Sequence, residues 1–230
     1  MAKIAIITAR GGSKRIPRKN IKPFLGKPIL AYSIEAAVKS GVFDEVMVST
    51  DDGEIAEIAK EYGAKVPFLR SEATANDFAT TADVLFEVLN EYKKEGREFD
   101  SFICIYPTAP FITAEKIKKA VEEFEKSDAD SLIPVVKFDF PPKRAFVIRD
   151  GKLSYVYPEH ALTRSQDLES EYHDCGQFYI CDTKAFYEQK ALVMKKTIPF
   201  IIPETEVQDI DNPTDWILAE EKYKILYPEA

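Results

Sequence analysis

This chain has little of what marks secreted or membrane-bound proteins. It contains three cysteines among 230 residues, and no apolar stretch approaches the roughly 18 residues that a membrane span needs. The first apolar run ends at Arg10 and no small-residue cleavage pattern follows it, which disfavours a secretion signal. We therefore expect a cytoplasmic protein without membrane attachment.

The cysteines do not form a recognisable motif. The chain has an odd number of cysteines, Cys104, Cys175 and Cys181, and no two of them have C-x-x-C spacing. A chain of this length can bury a core without disulfide bonds. We expect reduced core residues. Cys175 and Cys181 flank an apolar strand and could approach each other.

Acidic residues are absent from the first 34 positions, which carry eight Lys or Arg. The whole chain has the opposite balance, with 31 Lys+Arg against 39 Asp+Glu and a net charge of -8. Net acidity argues against nucleic acid or an anionic membrane as a partner. The local basic excess instead predicts binding of a small anion.

Apolar strand-like runs alternate with amphipathic helical patterns up to about residue 136. This alternation is typical of an α/β domain with a mostly parallel sheet. The predicted strands are 3–8, 45–49, 66–69, 102–106 and 131–136, and the predicted helices are 28–40, 51–63, 82–94 and 113–126.

The alternation stops after residue 136. Asp150-Gly151 stands between two apolar arms and predicts a hairpin, so residues 138–172 are interpreted as an insertion within a single domain, 1–230. Strands at 176–181 and 198–202 and helices at 183–190 and 212–227 complete the prediction.

The loop of residues 9–20 follows the first strand directly. In open α/β sheets, ligands bind at the carboxyl ends of the strands, and the loop after the first strand commonly holds a phosphate. Gly11 and Gly12 would let backbone N–H groups approach an oxyanion. The side chains that would neutralise it are Arg10, Lys14 and Lys19. Neither common glycine-rich phosphate motif is present, and the alternative is an exposed basic loop that favours solubility.

Asp209 and Asp211 form a D-x-D pair far along the chain. In an extended segment their side chains point to one face and could share a divalent cation. Mg²⁺ needs only one or two protein carboxylates when phosphate oxygens and waters supply the rest. The alternative is a helix start, with Asp211 or Asn212 as the cap before Pro213.

The loop from Ala9 to Asn20 resembles the signature A-R-x-x-S-K-x-x-x-x-K-N of the sugar-acid cytidylyltransferases, which make CMP-activated sialic acids. Further segments match the family in order along the whole chain. They are Ser49-Thr50-Asp51, Leu69-Arg70-Ser71, Pro107-Thr108-Ala109-Pro110 and Gln208-Asp209-Ile210-Asp211. The resemblance implies a Rossmann-like, three-layer nucleotidyltransferase fold with an inserted hairpin used for dimerisation.

The resemblance also implies roles for individual residues. CTP would contact Arg10, Gly11, Gly12, Ser13, Lys14, Lys19, Asn20, Arg70, Thr80 and Thr81. Arg10, Lys19 and Asp211 would be catalytic, and Asp209 and Asp211 would hold one or two Mg²⁺ ions. Without the resemblance, Arg70 would be interpreted as a surface arginine.

The segments expected to face the sugar depart from the sialic acid pattern. Tyr106 stands where those enzymes carry Gln, Phe111-Ile112 replace Leu-Arg, and His173 stands where Arg is common. The segments Tyr106–Phe111 and Glu171–Tyr179 resemble the branch of the family that uses pseudaminic acid, so the resemblance implies this acid before legionaminic or N-acetylneuraminic acid. A deoxygenated diacetamido acid also fits the less polar wall. The sugar-binding residues predicted on this basis are Tyr106, Lys143, Arg164, His173 and Gln177. His173 alone would be interpreted as a solvated loop residue.

The implied reaction is attack of the sugar's anomeric hydroxyl on the α-phosphorus of CTP, which releases pyrophosphate. The resemblance also implies that the enzyme is a homodimer. Lys143 or Arg144 would reach the partner's sugar site, although an exposed hairpin with a basic tip is an alternative. The enzymatic alternatives are a cytidylyltransferase for the eight-carbon acid Kdo and a sugar-1-phosphate nucleotidylyltransferase. A noncatalytic nucleotide- or RNA-binding module is the alternative outside enzymes.

Overall fold

A seven-stranded sheet forms the centre of the computed structural model, which describes residues 1–229. The strands are β1 (Lys3–Thr8), β2 (Pro23–Phe24), β3 (Lys27–Pro28), β4 (Glu45–Ser49), β5 (Ser101–Ile105), β6 (Ser131–Lys137), β7 (Phe146–Arg149), β8 (Lys152–Tyr155), β9 (Tyr172–Asp174), β10 (Phe178–Asp182) and β11 (Thr197–Ile201). The helices are α1 (Ile29–Ser40), α2 (Gly53–Glu61), α3 (Glu72–Ala75), α4 (Thr81–Lys94), α5 (Ala114–Glu125), α6 (Thr183–Gln189) and α7 (Pro213–Leu226).

The strand order in the sheet is β11-β6-β10-β5-β1-β4, and β9 pairs with β6. β4, β1, β5, β6 and β11 run in one direction, while β10 and β9 run antiparallel to their neighbours. The predicted α/β fold with a mostly parallel central sheet is confirmed.

Successive side chains of β1 point to opposite faces of the sheet, as they do in any β-strand. Ala5 and Ile7 pack in a cluster with residues of α1, α2 and α5, whereas Ile4 and Ile6 pack with α4 and α6. All four side chains are fully buried. Helices therefore cover both faces, which gives the three layers expected from the unbroken apolar run of this strand.

The predicted elements lie within two residues of the observed ones, with one exception. Residues 66–69 form no strand, and only Lys65 makes an isolated parallel bridge, with Met47. Pro67 has no N–H to donate to a neighbouring strand, which stops the pairing at this point. The short elements α3, β2, β3 and β9 were not predicted.

The predicted hairpin is confirmed. β7 and β8 pair as a separate two-stranded sheet, and the turn residues Asp150 and Gly151 both have positive φ, of 50° and 73°. A two-residue turn of this kind matches the twist of the flanking strands and favours Asp-Gly. The hairpin lies in the segment between β6 and β9.

Two further expectations concern the cysteines and the membrane. Cys104, Cys175 and Cys181 are buried and free, which confirms the interpretation as reduced core residues. In residues 1–229, no helix has the length and apolarity to cross a bilayer. The cytoplasmic location stays a prediction.

Candidate active site

A cleft of about 480 Å³ opens where β1 and β5 end. That volume is in the range of small-molecule sites. Its walls come from the loop after β1, the segment joining α3 to α4, the residues after β5 and the residue before the cap of α7. The predicted site residues that line it are Arg10, Ser13, Lys14, Lys19, Asn20, Arg70, Thr80, Thr81, Tyr106 and Asp211.

The loop after β1 is held by polar contacts at its base. The buried Asn20 side chain donates from Nδ2 to the Arg10 carbonyl at 2.8 Å, and the Gly11 N–H donates to Asp51 Oδ1 at 2.9 Å. A Cβ atom on Gly11 would lie 2.9 Å from Asp52 Oδ2. Gly11 therefore permits close packing against the start of α2, and its own N–H is already bonded to Asp51.

The basic side chains of the first loop that line the cleft each face a carboxylate. Arg10 Nη1 lies 2.7 Å from Asp77 Oδ1, and Lys14 pairs with the other oxygen of Asp77. These two contacts, that of Lys14 first, hold the pKa of Asp77 below its ordinary value. Arg15 Nη2 lies 2.8 Å from Asp211 Oδ1. One wall of the cleft is therefore basic, and its side chains are paired with Asp77 and Asp211.

Lys19 connects the first loop to the distant acidic segment. Its Nζ donates to the Ile210 carbonyl at 2.7 Å and lies 3.8 Å from Asp211 Oδ1. Burial lowers the pKa of Lys19, while the charges of Asp211 and Asp209 act in the opposite direction. A partly desolvated ammonium fixed in this way interacts more strongly with a phosphate than one in water does.

The acidic pair is not used as a helix cap. Asn212 caps α7, because its side chain accepts from the Thr214 and Asp215 N–H groups and Asp215 returns the bond. The carboxylate of Asp211 instead lies at the cleft, where it pairs with Arg15 and Lys19. Burial, and next the charge of Asp211, raise the pKa of Asp209, and a bound cation would oppose both effects by favouring the ionised carboxylate.

This donor set fits the expected metal. Two carboxylates in a segment that contacts the basic first loop would leave the other ligand positions of Mg²⁺ to phosphate oxygens and waters. Among residues 1–229, no group of three or more His, Cys, Asp or Glu could hold a metal ion by protein ligands alone. Asp209 itself does not line the cleft.

Arg70 is buried rather than on the surface. Its Nε donates to Ser49 Oγ at 3.1 Å and its Nη2 to the Ser49 carbonyl at 2.8 Å. Burial lowers the pKa of this guanidinium. These bonds fix the side chain at the end of β4, where it lines the cleft.

Thr80 and Thr81 are held at the start of α4. Thr80 caps this helix through a capping box with Asp83. Thr81 Oγ1 lies 3.2 Å from the hydroxyl of Tyr106. Both hydroxyl residues therefore have fixed orientations at the wall.

Other predicted site residues lie elsewhere. Gly11 and Gly12 do not line the cleft, and of the sugar-binding set only Tyr106 does. Lys143 Nζ lies 3.5 Å from Glu169, and Arg164 Nε lies 2.7 Å from Asp167. His173 is exposed, with its ring 4.7 Å from that of Phe138. Gln177 is buried and donates to the Glu206 carbonyl at 2.7 Å.

The cleft also contains residues that the sequence had not singled out. Arg15 lies in a run of several basic residues, and the sequence does not distinguish it from its neighbours. Thr108 lies in the segment Pro107–Pro110, which resembles the family, but no role is predicted for it. Nothing in the sequence indicates a role for Asp77, because acidic residues are common in the segments between helices. All three line the cleft.

The chain is similar to known proteins over most or all of its length. A pseudaminic acid cytidylyltransferase from Campylobacter jejuni is 40% identical over 100% of both chains. A CMP-N,N'-diacetyllegionaminic acid synthase from Legionella pneumophila is 37% identical over 94% of both. A solved structure of CMP:2-keto-3-deoxy-manno-octonic acid synthetase complexed with CTP superposes with a TM-score of 0.71 at 18% identity, covering 99% of this chain and 100% of that one. The model of the cytidylyltransferase family matches residues 4–221, and the chain belongs to that family.

Proposed function

We propose that this enzyme transfers CMP from CTP to pseudaminic acid and releases pyrophosphate. The substrate assignment is supported by the full-length similarity to pseudaminic acid cytidylyltransferase. The observation that carries the proposal is the meeting of the two motifs in one cleft. Arg15 and Lys19 of the first loop lie 2.8 Å and 3.8 Å from Asp211.

In this proposal the basic wall binds the triphosphate. Arg10, Lys14, Arg15 and Lys19 exchange their present carboxylate partners for phosphate oxygens, which carry more charge and accept bidentate bonds from Arg. Arg70, Thr80 and Thr81 lie on the remaining wall of the cleft and are assigned to the ribose and base.

The reaction needs positioning and charge neutralisation more than covalent chemistry. Lys19 and Arg10 stabilise the charge that develops on the phosphates, since fixed donors need no reorganisation during the reaction. Asp209 and Asp211 would hold Mg²⁺, which when bound neutralises phosphate charge and polarises the phosphorus centre. Asn20 keeps the Arg10 backbone in place throughout.

A homodimer forms the second part of the proposal. The segment 138–172 exposes large apolar side chains to solvent, namely Phe140, Ile148, Leu153 and Leu162. Contiguous exposed apolar surface commonly marks an interaction site. Lys143, Arg164 and His173 lie off the cleft of their own chain, so we assign them to the sugar site of the partner.

The dimer is tested by sedimentation and activity together. Replacing both Ile148 and Leu153 by Asp should give a monomer with little activity, whereas Val193→Asp, at an equally exposed position outside the segment, should leave both unchanged. A wild-type protein that is monomeric and fully active would refute the proposed dimer.

The reaction itself is tested by pyrophosphate release from CTP and Mg²⁺ with a panel of acids. Pseudaminic acid should give the highest kcat/KM, ahead of legionaminic, N-acetylneuraminic and Kdo acids. Release that is faster with Kdo than with any nine-carbon acid would refute the substrate assignment but keep the reaction class.

A further inference from the structure

One wall of the cleft is a segment with little regular structure of its own. Residues 70–80 lead into α4 and contain only the four-residue helix α3. The residues of this segment that line the cleft are Arg70, Thr74, Asn76, Asp77, Ala79 and Thr80. A single helical turn is not stable by itself, so the position of this wall depends on contacts with the rest of the protein.

Glu87 of α4 makes such contacts, although it does not line the cleft itself. Its Oε1 accepts from the Ser71 N–H at 2.7 Å, and its Oε2 accepts from the Ser71 hydroxyl at 2.7 Å and from the Thr74 hydroxyl. Ser71 stands at the capping position of α3, where a serine side chain commonly bonds to its own helix, but here it makes no such bond. The carboxylate of Glu87 therefore joins the start of α3 to α4.

The charge of Glu87 strengthens this connection. Burial would raise the pKa of Glu87, but the hydrogen bonds led by that from Thr74 hold it below its ordinary value. The carboxylate is therefore ionised near neutral pH and acts only as an acceptor. Hydrogen bonds to an ionised group are stronger than those between neutral groups, so the three contacts hold α3 firmly.

The same contacts fix the backbone of Arg70. The Arg70 N–H donates to the Thr50 carbonyl at 2.8 Å, and the next peptide group, which joins Arg70 to Ser71, is held through the Ser71 N–H by Glu87. Peptide groups are planar, so both planes that meet at the Arg70 Cα have a fixed orientation. The guanidinium is bonded to Ser49. Glu87 thus supplies one of the three attachments that orient Arg70 at the cleft.

We propose that Glu87 is a positioning residue of the nucleotide site, which holds Arg70 and Thr74 in place at the base and ribose end of CTP. Its three bonds all go to the segment 70–80, whereas the phosphates are assigned to the basic loop of residues 9–20. This inference rests on the proposed function, because it takes the cleft as the binding site of CTP.

Glu87→Met tests the role most directly, since it keeps most of the side-chain volume and removes all three acceptor contacts. The Kd for CTP should rise roughly tenfold, the order expected when charged hydrogen bonds that fix a binding wall are lost. Glu87→Gln should stay within about threefold of the wild type, because its amide can still accept from the Ser71 N–H and donate to the two hydroxyl oxygens. Glu91→Met is the matched control. Glu91 also belongs to α4, and its carboxylate pairs with Lys94, so this variant should bind CTP like the wild type.

The experiment is calorimetry in the presence of Mg²⁺ with two probes, CTP and inorganic tripolyphosphate. Tripolyphosphate has neither base nor ribose, so Glu87→Met should change its Kd by less than about twofold, because the basic loop is a separate part of the site. Thermal unfolding identifies the variants that are folded. An equal loss for both probes in folded Glu87→Met would overturn the positioning role. So would an unchanged Kd for CTP, or a loss in Glu87→Gln as large as in Glu87→Met.

Ser71→Ala keeps the proposal testable if Glu87→Met does not fold. It removes one of the hydroxyls bonded to Glu87, at a residue that does not line the cleft, and should raise the Kd for CTP about twofold to threefold. An unchanged Kd would overturn the role of Glu87.

Pyrophosphate release separates this inference from the proposed function. A wild-type enzyme that binds CTP but releases no pyrophosphate with any acid would refute the proposed function, and the Kd values would still decide the role of Glu87. A wild-type protein that binds no CTP would overturn both.

Discussion

Replacing Lys19 by Met tests whether this partly buried ammonium is the main phosphate contact of the cleft. The side chain of Lys19 is 21% exposed and bonded to the Ile210 carbonyl, whereas that of Lys14 is 78% exposed. Met keeps most of the volume and removes the charge. The two lysines therefore allow a matched comparison of one shielded and one solvated charge.

The expected magnitudes differ because solvent screens the exposed charge. A hydrogen bond between a shielded ammonium and a phosphate contributes about 2 kcal/mol, which corresponds to roughly 30-fold in kcat/KM for CTP. Loss of an exposed charge such as that of Lys14 costs at most about fivefold. Lys39→Met, at an exposed residue of α1 that pairs with Glu35, should change nothing.

Steady-state pyrophosphate release gives the three values of kcat/KM, and thermal unfolding of each variant shows whether it is folded. Equal losses for Lys14→Met and Lys19→Met in folded proteins would refute the reasoning. So would an effect of Lys19→Met below about threefold.

Other predictions follow from contacts near and far from the cleft. Asp77→Asn should lower the KM for CTP by about twofold to fivefold, because the triphosphate no longer displaces a carboxylate from Arg10 and Lys14; a higher KM would contradict this. Gly11→Ala should raise the KM for CTP, since the new Cβ would lie 2.9 Å from Asp52 Oδ2, whereas Gly12→Ala, where nothing lies within 4 Å, should not. Burial would raise the pKa of Glu45, but hydrogen bonds led by that from Arg97 lower it to about 2 from its ordinary 4.5. That carboxylate thus contributes up to about 3 kcal/mol above pH 4.5, lost as the pH falls toward 2. Urea unfolding between these pH values should show this slope in the wild type and a shallower one in Glu45→Gln, and equal slopes would contradict the assignment.

The sequence predicted the sheet well where one physical signal dominated. β1 is apolar at nearly every position and β7–β8 has an Asp-Gly turn, so period and turn chemistry were sufficient there. The apolar residues of segment 66–69 predict a strand, but Pro67 lacks the N–H that pairing with a neighbouring strand requires.

The candidate site was predictable as two motifs but not as one cleft. Residues 9–20 predict an anion site and residues 209–211 predict a cation site. Only the fold shows that the two segments meet, with Lys19 Nζ 3.8 Å from Asp211 Oδ1. Asp77 could not be predicted, because its position beside Arg10 depends on how the segment between α3 and α4 folds back.

The central claim is that this cleft directs the sugar hydroxyl to the α-phosphorus of CTP, and isotopic labelling tests it most directly. The enzyme is incubated with Mg²⁺, pseudaminic acid and CTP carrying radioactive phosphorus at either the α or the γ position. The account predicts that the α label appears in the CMP-linked sugar and the γ label in pyrophosphate. Transfer of the γ label to the sugar, or release of pyrophosphate with no labelled sugar product, would contradict it.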